Sequence, residues 1–175
     1  MRKSFLALVC LLTAPALAAP GLPVQFGPRV QASGTCLSGD FDGDGVADSA
    51  CLVTLLPASA KNRLAPDVTV IDRLFGTAAM GAQSHGTALA ILQKGGRQKY
   101  LLTGGSDGYF DTPIWKAQPL PLSVAKPGSR AFRDFQHDKA PVKHDILVAG
   151  TEAGIDTALY WNGKSYALFM PNEEP

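Results

Sequence analysis

Residues 40–56 read Asp40-Phe41-Asp42-Gly43-Asp44-Gly45-Val46-Ala47-Asp48 and then, without a break, Ser49-Ala50-Cys51-Leu52-Val53-Thr54-Leu55-Leu56. The first half places four carboxylates at alternating or near-alternating positions. The second half is apolar and β-branched, the composition of a buried strand. A loop of this kind is built for a hard cation. Ca²⁺ takes roughly six to eight oxygen ligands, so a chain curling round it must offer side-chain oxygens at every second residue and a peptide carbonyl at the bend. Asp40, Asp42, Asp44 and Asp48 would supply the carboxylates and Val46 the carbonyl. Gly43 and Gly45 fit where the backbone must turn tightly. Four negative charges so close together repel one another unless a cation stands between them. The alternative is a solvated Asp/Gly turn that holds no ion.

An EF-hand loop is excluded, because it requires a bidentate Glu at its twelfth position, and that position is Cys51. The pattern D-x-D-G-D-G-x-x-D running into an apolar strand resembles the calcium loop of FG-GAP/VCBS repeats, found in integrin-type β-propellers and in many exported bacterial proteins. The match covers about residues 38 to 56. It implies a calcium-dependent module and, further, adhesion or carbohydrate binding.

Outward from the loop, Cys36 and Cys51 flank it on either side. A bond between them would pin both ends and, by closing a loop of about 15 residues, contribute roughly 3 kcal/mol; the other reading is a buried thiol pair. An oxidising destination follows from the N-terminus. Met1-Arg2-Lys3 is basic, Phe5 to Leu12 apolar, and Ala16-Leu17-Ala18 a small-x-small cleavage site, so residues 1–18 read as a signal peptide and the protein as periplasmic or secreted. The apolar run is too short for a membrane span, and no later run reaches the length needed. Loss of Arg2 and Lys3 takes two of the 16 basic residues against 15 acidic ones. The near-zero balance argues against nucleic acid or anionic membranes as partners, since both demand clustered positive charge.

Residues 19–175 form a single β-rich domain on this reading. Eighteen Gly and 13 Pro interrupt any long helix, and no window carries a sustained helical apolar period with caps. From Pro20 to Gly34 the chain reads as extended, with Val24 to Phe26 as an edge strand. Asp67 to Phe75 and Asp145 to Gly150 read as strands. Two hairpins are expected, Thr87–Leu92 with Lys99–Thr103 across a Gly95-Gly96 turn, and Ala158–Trp161 with Lys164–Phe169 across Asn162-Gly163. Asp134-Phe135 to Gly150 can be laid on Asp40-Phe41 to Thr54 as a degenerate internal repeat without the loop carboxylates. A closed propeller typically needs four or more blades, more than this chain holds. The expected class is all-β, with antiparallel hairpins forming a sandwich or an incomplete propeller-like sheet stack.

Catalytic signals are sparse. His85, His137 and His144 are the three histidines. His137-Asp138 and His144-Asp145 match neither a His-Glu-x-x-His helix nor a zinc ribbon. A metal-assisted hydrolase built on Asp, His137 and His144 is the enzyme alternative; the expectation is a non-catalytic protein. Gly104 to Trp115 is of another kind. Ser106, Asp107, Tyr109, Phe110 and Trp115 lie in a Gly/Asp-rich loop, and aromatics on loops of a rigid β scaffold concentrate binding energy. The other reading folds Tyr109, Phe110 and Trp115 back over the core, and Asp107 with Asp111 offers a second cation site. A signal peptide, one β domain and a Gly-Ser-Asp loop resemble, in architecture, periplasmic immunity proteins that plug type VI secreted cell-wall amidases. That resemblance implies a peptidoglycan hydrolase as the protein partner, with Ser106 and Asp107 as the plug. A glycan is the partner if the adhesion reading holds.

Overall fold

The computed structural model describes residues 22–71, 86–103, 122–136, 142–149 and 157–169. Two sheets and two short helices make up these residues. The first sheet is built from β1 (Val30–Gly39), β2 (Asp48–Leu55), β3 (Val68–Ile71), β4 (Gly86–Gln93) and β5 (Gln98–Thr103) in the order β1-β2-β4-β5-β3. The second is the antiparallel meander β6 (Leu122–Ala125), β7 (Ile146–Ala149), β8 (Thr157–Trp161) and β9 (Tyr166–Phe169). Helices α1 (Leu22–Phe26) and α2 (Arg130–Gln136) complete the list. The protein is an all-β sandwich, with no closed barrel among the described residues.

Strand periodicity assigns every side chain to a layer. On the first sheet Ala50, Leu89, Ile91, Tyr100 and Leu102 point inward and meet Leu147, Leu159 and Tyr166 of the second, so one core is shared between the sheets. Their neighbours Cys51, Val53, Ala88, Ala90, Leu92 and Leu101 point to the opposite face, where Leu22 and Phe26 of α1 cover them. The second sheet repeats the arrangement, with Ile146, Val148 and Ala158 facing Phe132 and Phe135 of α2. Strands β2 and β4 are therefore buried on both faces, which is why they read as near-continuous apolar runs rather than as alternating ones. Tyr100, Trp161 and Tyr166 pack edge to face at centroid distances of 5.1–5.4 Å across the join.

Several expectations need correction. Val24 to Phe26 is helix, not edge strand. Pro23 is tolerated in a first helical turn, Leu22 and Phe26 fall one turn apart on the buried face, and Gly27 at φ 93° ends the helix. Helix α2 was not expected at all; its signal is Ser129, whose hydroxyl accepts from the Phe132 N–H at 3.3 Å as an N-cap. In the β4–β5 turn the left-handed residue is Arg97, at φ 54°, and neither Gly95 nor Gly96. The last hairpin pairs Trp161 with Tyr166, so its connection is Asn162–Ser165 and not Asn-Gly alone. The Asn162 carboxamide oxygen accepts from the amides of Lys164 and Ser165 at 3.0 and 2.9 Å and so holds both out of the ladder. Not every pairing is antiparallel either, because β3 joins the edge of β5 in parallel.

Cys36 and Cys51 are disulfide-bonded and face each other directly across β1 and β2. The two segments aligned as a repeat both connect the first and second strands of a four-stranded antiparallel run. Their backbones differ, since Asp40-Phe41 opens a loop and Asp134-Phe135 lies in α2. Residues 1–18, read as a signal peptide, and residues 104–115, read as a binding loop, lie outside the described residues, as do His85 and His137. Among the described residues no helix is long and apolar enough to cross a membrane.

The helical assignment of residues 22–26 makes a sharp prediction. In a strand Val24 and Phe26 would share a face, whereas here Phe26 is 0% and Val24 80% exposed. Phe26→Ala should cost about 3–5 kcal/mol and Val24→Ala less than about 0.5 kcal/mol, measured by urea unfolding; comparable losses would restore the edge strand.

Candidate metal centre

The acidic loop spans the turn from β1 to β2, between the paired residues Gly39 and Asp48. Its conformation is set by short-range bonds from backbone amides to aspartates, the habit that makes Asp a turn residue. Asp40 accepts from the N–H groups of Gly43 at 2.8 Å and Gly45 at 3.1 Å. Asp42 accepts from Asp44 N–H at 3.1 Å, and Asp44 from Val46 N–H at 2.7 Å. Gly43 and Gly45 take φ of 83° and 82°, the left-handed values expected of them.

Asp40, Asp42 and Asp48 bring one carboxylate oxygen each to within 4.8 Å of the others, from residues that are half-buried, half-buried and buried. A carboxylate oxygen that accepts one amide hydrogen bond keeps a second lone pair for a cation. The donor set is all oxygen, which suits Ca²⁺ rather than a softer transition metal. Asp44 is not one of this trio, although its side chain lies beside that of Asp42. Its carboxylate caps the Val46 amide and lies against Gly95 in the β4–β5 turn, where an added Cβ would come to 1.6 Å from Oδ2. Val46 is exposed.

Asp48 is the deepest of the group, at 0% exposure. One of its oxygens accepts from Phe41 N–H at 3.0 Å and the other from Lys94 N–H at 2.9 Å. It thereby closes the loop on itself and fastens the β4–β5 turn to it. Burial pushes its carboxyl up to about 6, against the opposing pull of the two amides, with Asp42 and Asp44 adding like-charge repulsion. Burial raises Asp42 as well, with Asp44 and Asp40 contributing. A carboxylate held in its anionic form at such a position gains from a bound cation.

The second sheet reaches the same spot through Asp145. Its Oδ2 accepts from Asp40 N–H at 3.1 Å, and its own N–H donates to the Asp40 carbonyl at 2.9 Å. The ring of His144 packs over Gly43. Both ring nitrogens of His144 face backbone carbonyls, those of Asp145 at 3.0 Å and Trp161 at 2.9 Å. That is the geometry of a brace between β7 and β8, with neither nitrogen turned toward the carboxylates. Sequence reasoning had no signal for either contact, since each depends on how the two sheets meet.

Ser106, Asp107, Tyr109, Phe110 and Trp115 fall outside the described residues, so the structure places none of them relative to the acidic loop. Compared with protein-family models, curated proteins and solved structures, the chain has no match.

The two adjoining glycines of the β4–β5 turn separate packing from flexibility. Gly95→Ala must displace the Asp44 carboxylate, whereas at Gly96 an added Cβ meets only the Gln98 side chain at 3.5 Å. Gly95→Ala should lower the unfolding free energy by about 1–3 kcal/mol, with Gly96→Ala within about 1 kcal/mol of wild type; equal effects would mean that the turn does not rest on Asp44.

Proposed function

We propose that this chain is an exported, non-catalytic β-sandwich protein that binds a macromolecular partner, with calcium in the Asp40–Asp48 loop and the Cys36–Cys51 bond fixing its fold. The observation that carries the calcium part is the convergence of Asp40, Asp42 and Asp48 oxygens on one point, with Asp48 fully buried. Asp44 is left to hold the neighbouring turn, so on this reading the ion is chelated by the trio, a loop carbonyl such as that of Val46, and water. The ion is structural: it neutralises a buried carboxylate at the junction where loop, turn and second sheet meet.

The binding part rests on residues 104–115. A Gly- and Asp-rich stretch with Ser106 and three aromatics would suit a plug for a cleft, and the partner we favour is a cell-wall amidase held in check by an immunity protein. Supporting this over hydrolysis is the placement of His144, whose ring nitrogens lie against the backbone carbonyls of Asp145 and Trp161 and not among the clustered carboxylates.

Calcium that binds only the folded state stabilises it by about 2.7 kcal/mol at a hundredfold excess over Kd, a rise of several degrees in Tm for a domain of this size. Millimolar calcium should raise the Tm of the oxidised protein over that in chelator, and Asp42→Asn should abolish most of the rise. An unchanged Tm would remove calcium from the proposal.

The pH dependence has a definite sign. Asp48 titrates higher folded, at about 6, than its ordinary 3.8. Its contribution to the ion-free protein is therefore fully present below about 3.8 and lost as pH rises through about 6, a difference of roughly 3 kcal/mol. Calcium competes with that proton, so the calcium-dependent rise in Tm should be large at pH 7.5 and small at pH 5. A rise that is constant across that range would show that Asp48 is not a ligand.

The partner is tested separately, by titrating the protein into purified cell-wall amidases. Stoichiometric inhibition that is lost with Ser106→Trp is expected. Undiminished inhibition by the variant would move the contact elsewhere, and failure to inhibit any of them would exclude the immunity reading.

A further inference from the structure

The β4–β5 turn that leans on the acidic loop also forms one wall of a cleft of about 390 Å³, lined by Gln25, Asp67, Leu92, Lys94, Arg97 and Lys99. Three of these six residues are cationic. Lys99 is tied to Asp67 across the β3–β5 edge at 2.7 Å, which leaves Lys94 and Arg97 as charges with no ion pair among the described residues. Both are exposed on the turn, and the floor between them is the side chain of Leu92.

Arg97 is where the backbone argues for a role. It is the one non-glycine residue with positive φ among those described, at 54°, and that region favours glycine. Two glycines stand immediately before it and leave that conformation to the arginine. Gly95 is explained by the Asp44 carboxylate that fills the space of its Cβ. Arg97 closes the four-residue connection between the paired Gln93 and Gln98, and its exposed side chain is presented over the cleft rather than used in the core.

We propose that this cleft binds carboxylate side chains of an acidic polypeptide segment. The Arg97 guanidinium offers a planar fork that matches a carboxylate in bidentate fashion, with Lys94 as a second, flexible donor. The Gln25 carboxamide can donate beside them, and Leu92 receives the hydrocarbon part of a Glu or Asp side chain. The Lys94 N–H that could otherwise cradle a phosphate is spent on Asp48, which favours a side-chain carboxylate over inorganic phosphate. This deepens the binding reading above, on which it rests for the macromolecular nature of the partner, and gives a second surface of recognition.

Fluorescence anisotropy of a labelled hexaglutamate peptide tests it, at low ionic strength and a fixed calcium concentration, with full-length oxidised protein. Wild type should bind. Arg97→Gly should weaken binding at least tenfold while its Tm stays at or above that of wild type, so that lost affinity is not lost folding. Lys164→Ala, which removes a charge from the β8–β9 connection at a residue that does not line the cleft, should bind as wild type does. Inorganic phosphate should compete no better than chloride at equal ionic strength. Equal binding by wild type and Arg97→Gly, an equal loss with Lys164→Ala, preferential displacement by phosphate, or no binding of the peptide would each overturn the assignment. None of these outcomes depends on whether calcium shifts the Tm or whether an amidase is inhibited, so this site and the broader reading fail independently.

Discussion

A carboxylate buried at the end of β2 is the constraint on which the arrangement turns. Asp48 sits at 0% exposure and is bonded through both oxygens, one to the start of its own loop and one to the turn of the adjacent hairpin. Burying a charge without compensation is expensive. Two amide donors lessen the cost, yet the group still titrates near 6. A cation shared with Asp40 and Asp42 would complete the compensation. The fold thus places a costly buried carboxylate where three segments meet, and an ion there would convert that liability into a clamp.

From that point the rest of the sandwich can be followed outward. The loop is held at its base by the Cys36–Cys51 bond and at its mouth by Asp145 of the second sheet. Behind it lies the shared core of Ile91, Leu102, Leu147 and Leu159, with Tyr100, Trp161 and Tyr166 sealing the end near the carboxylates. Burial raises the Tyr166 hydroxyl far above its ordinary range, and Gln93, itself buried, donates to it at 3.1 Å. Polar groups in this region are therefore paired one by one rather than left to solvent, and a loop of high charge density coexists with a dry interface a few residues away.

How much of this was legible in the sequence follows the range of the interactions. The acidic loop, its two left-handed glycines, the strand that follows it, the disulfide and both hairpins depend on neighbours in the chain, and each could be placed from residues 36–56, 87–103 and 158–169. What escaped depends on distant partners. Asp44 is placed in the loop by alternation, but its contact with Gly95 is brought about by sheet pairing and has no signal in the sequence. Val24 to Phe26 looks extended because it follows Pro and Gly, and becomes a helix because Leu22 and Phe26 find the back of β2 and β4. The short helix α2 carries a cap in Ser129 that a search for long periodic helices passes over. The bridging of His144 to the carbonyls of Asp145 and Trp161 likewise depends on how β7 and β8 meet. Arg97 carried no signal in sequence, since the Gly-Gly before it is the expected site of the turn.

Direct calorimetric titration of calcium into chelator-stripped, oxidised protein at pH 7.5 measures the central claim without reference to stability. The account predicts one calcium per chain for wild type, with little proton release at pH 7.5 and a measurable release when the titration is repeated at pH 6, where Asp48 is half protonated, and no saturable heat for Asp48→Asn. A folded wild-type chain that takes up no calcium, or that binds it equally well without Asp48, would contradict it.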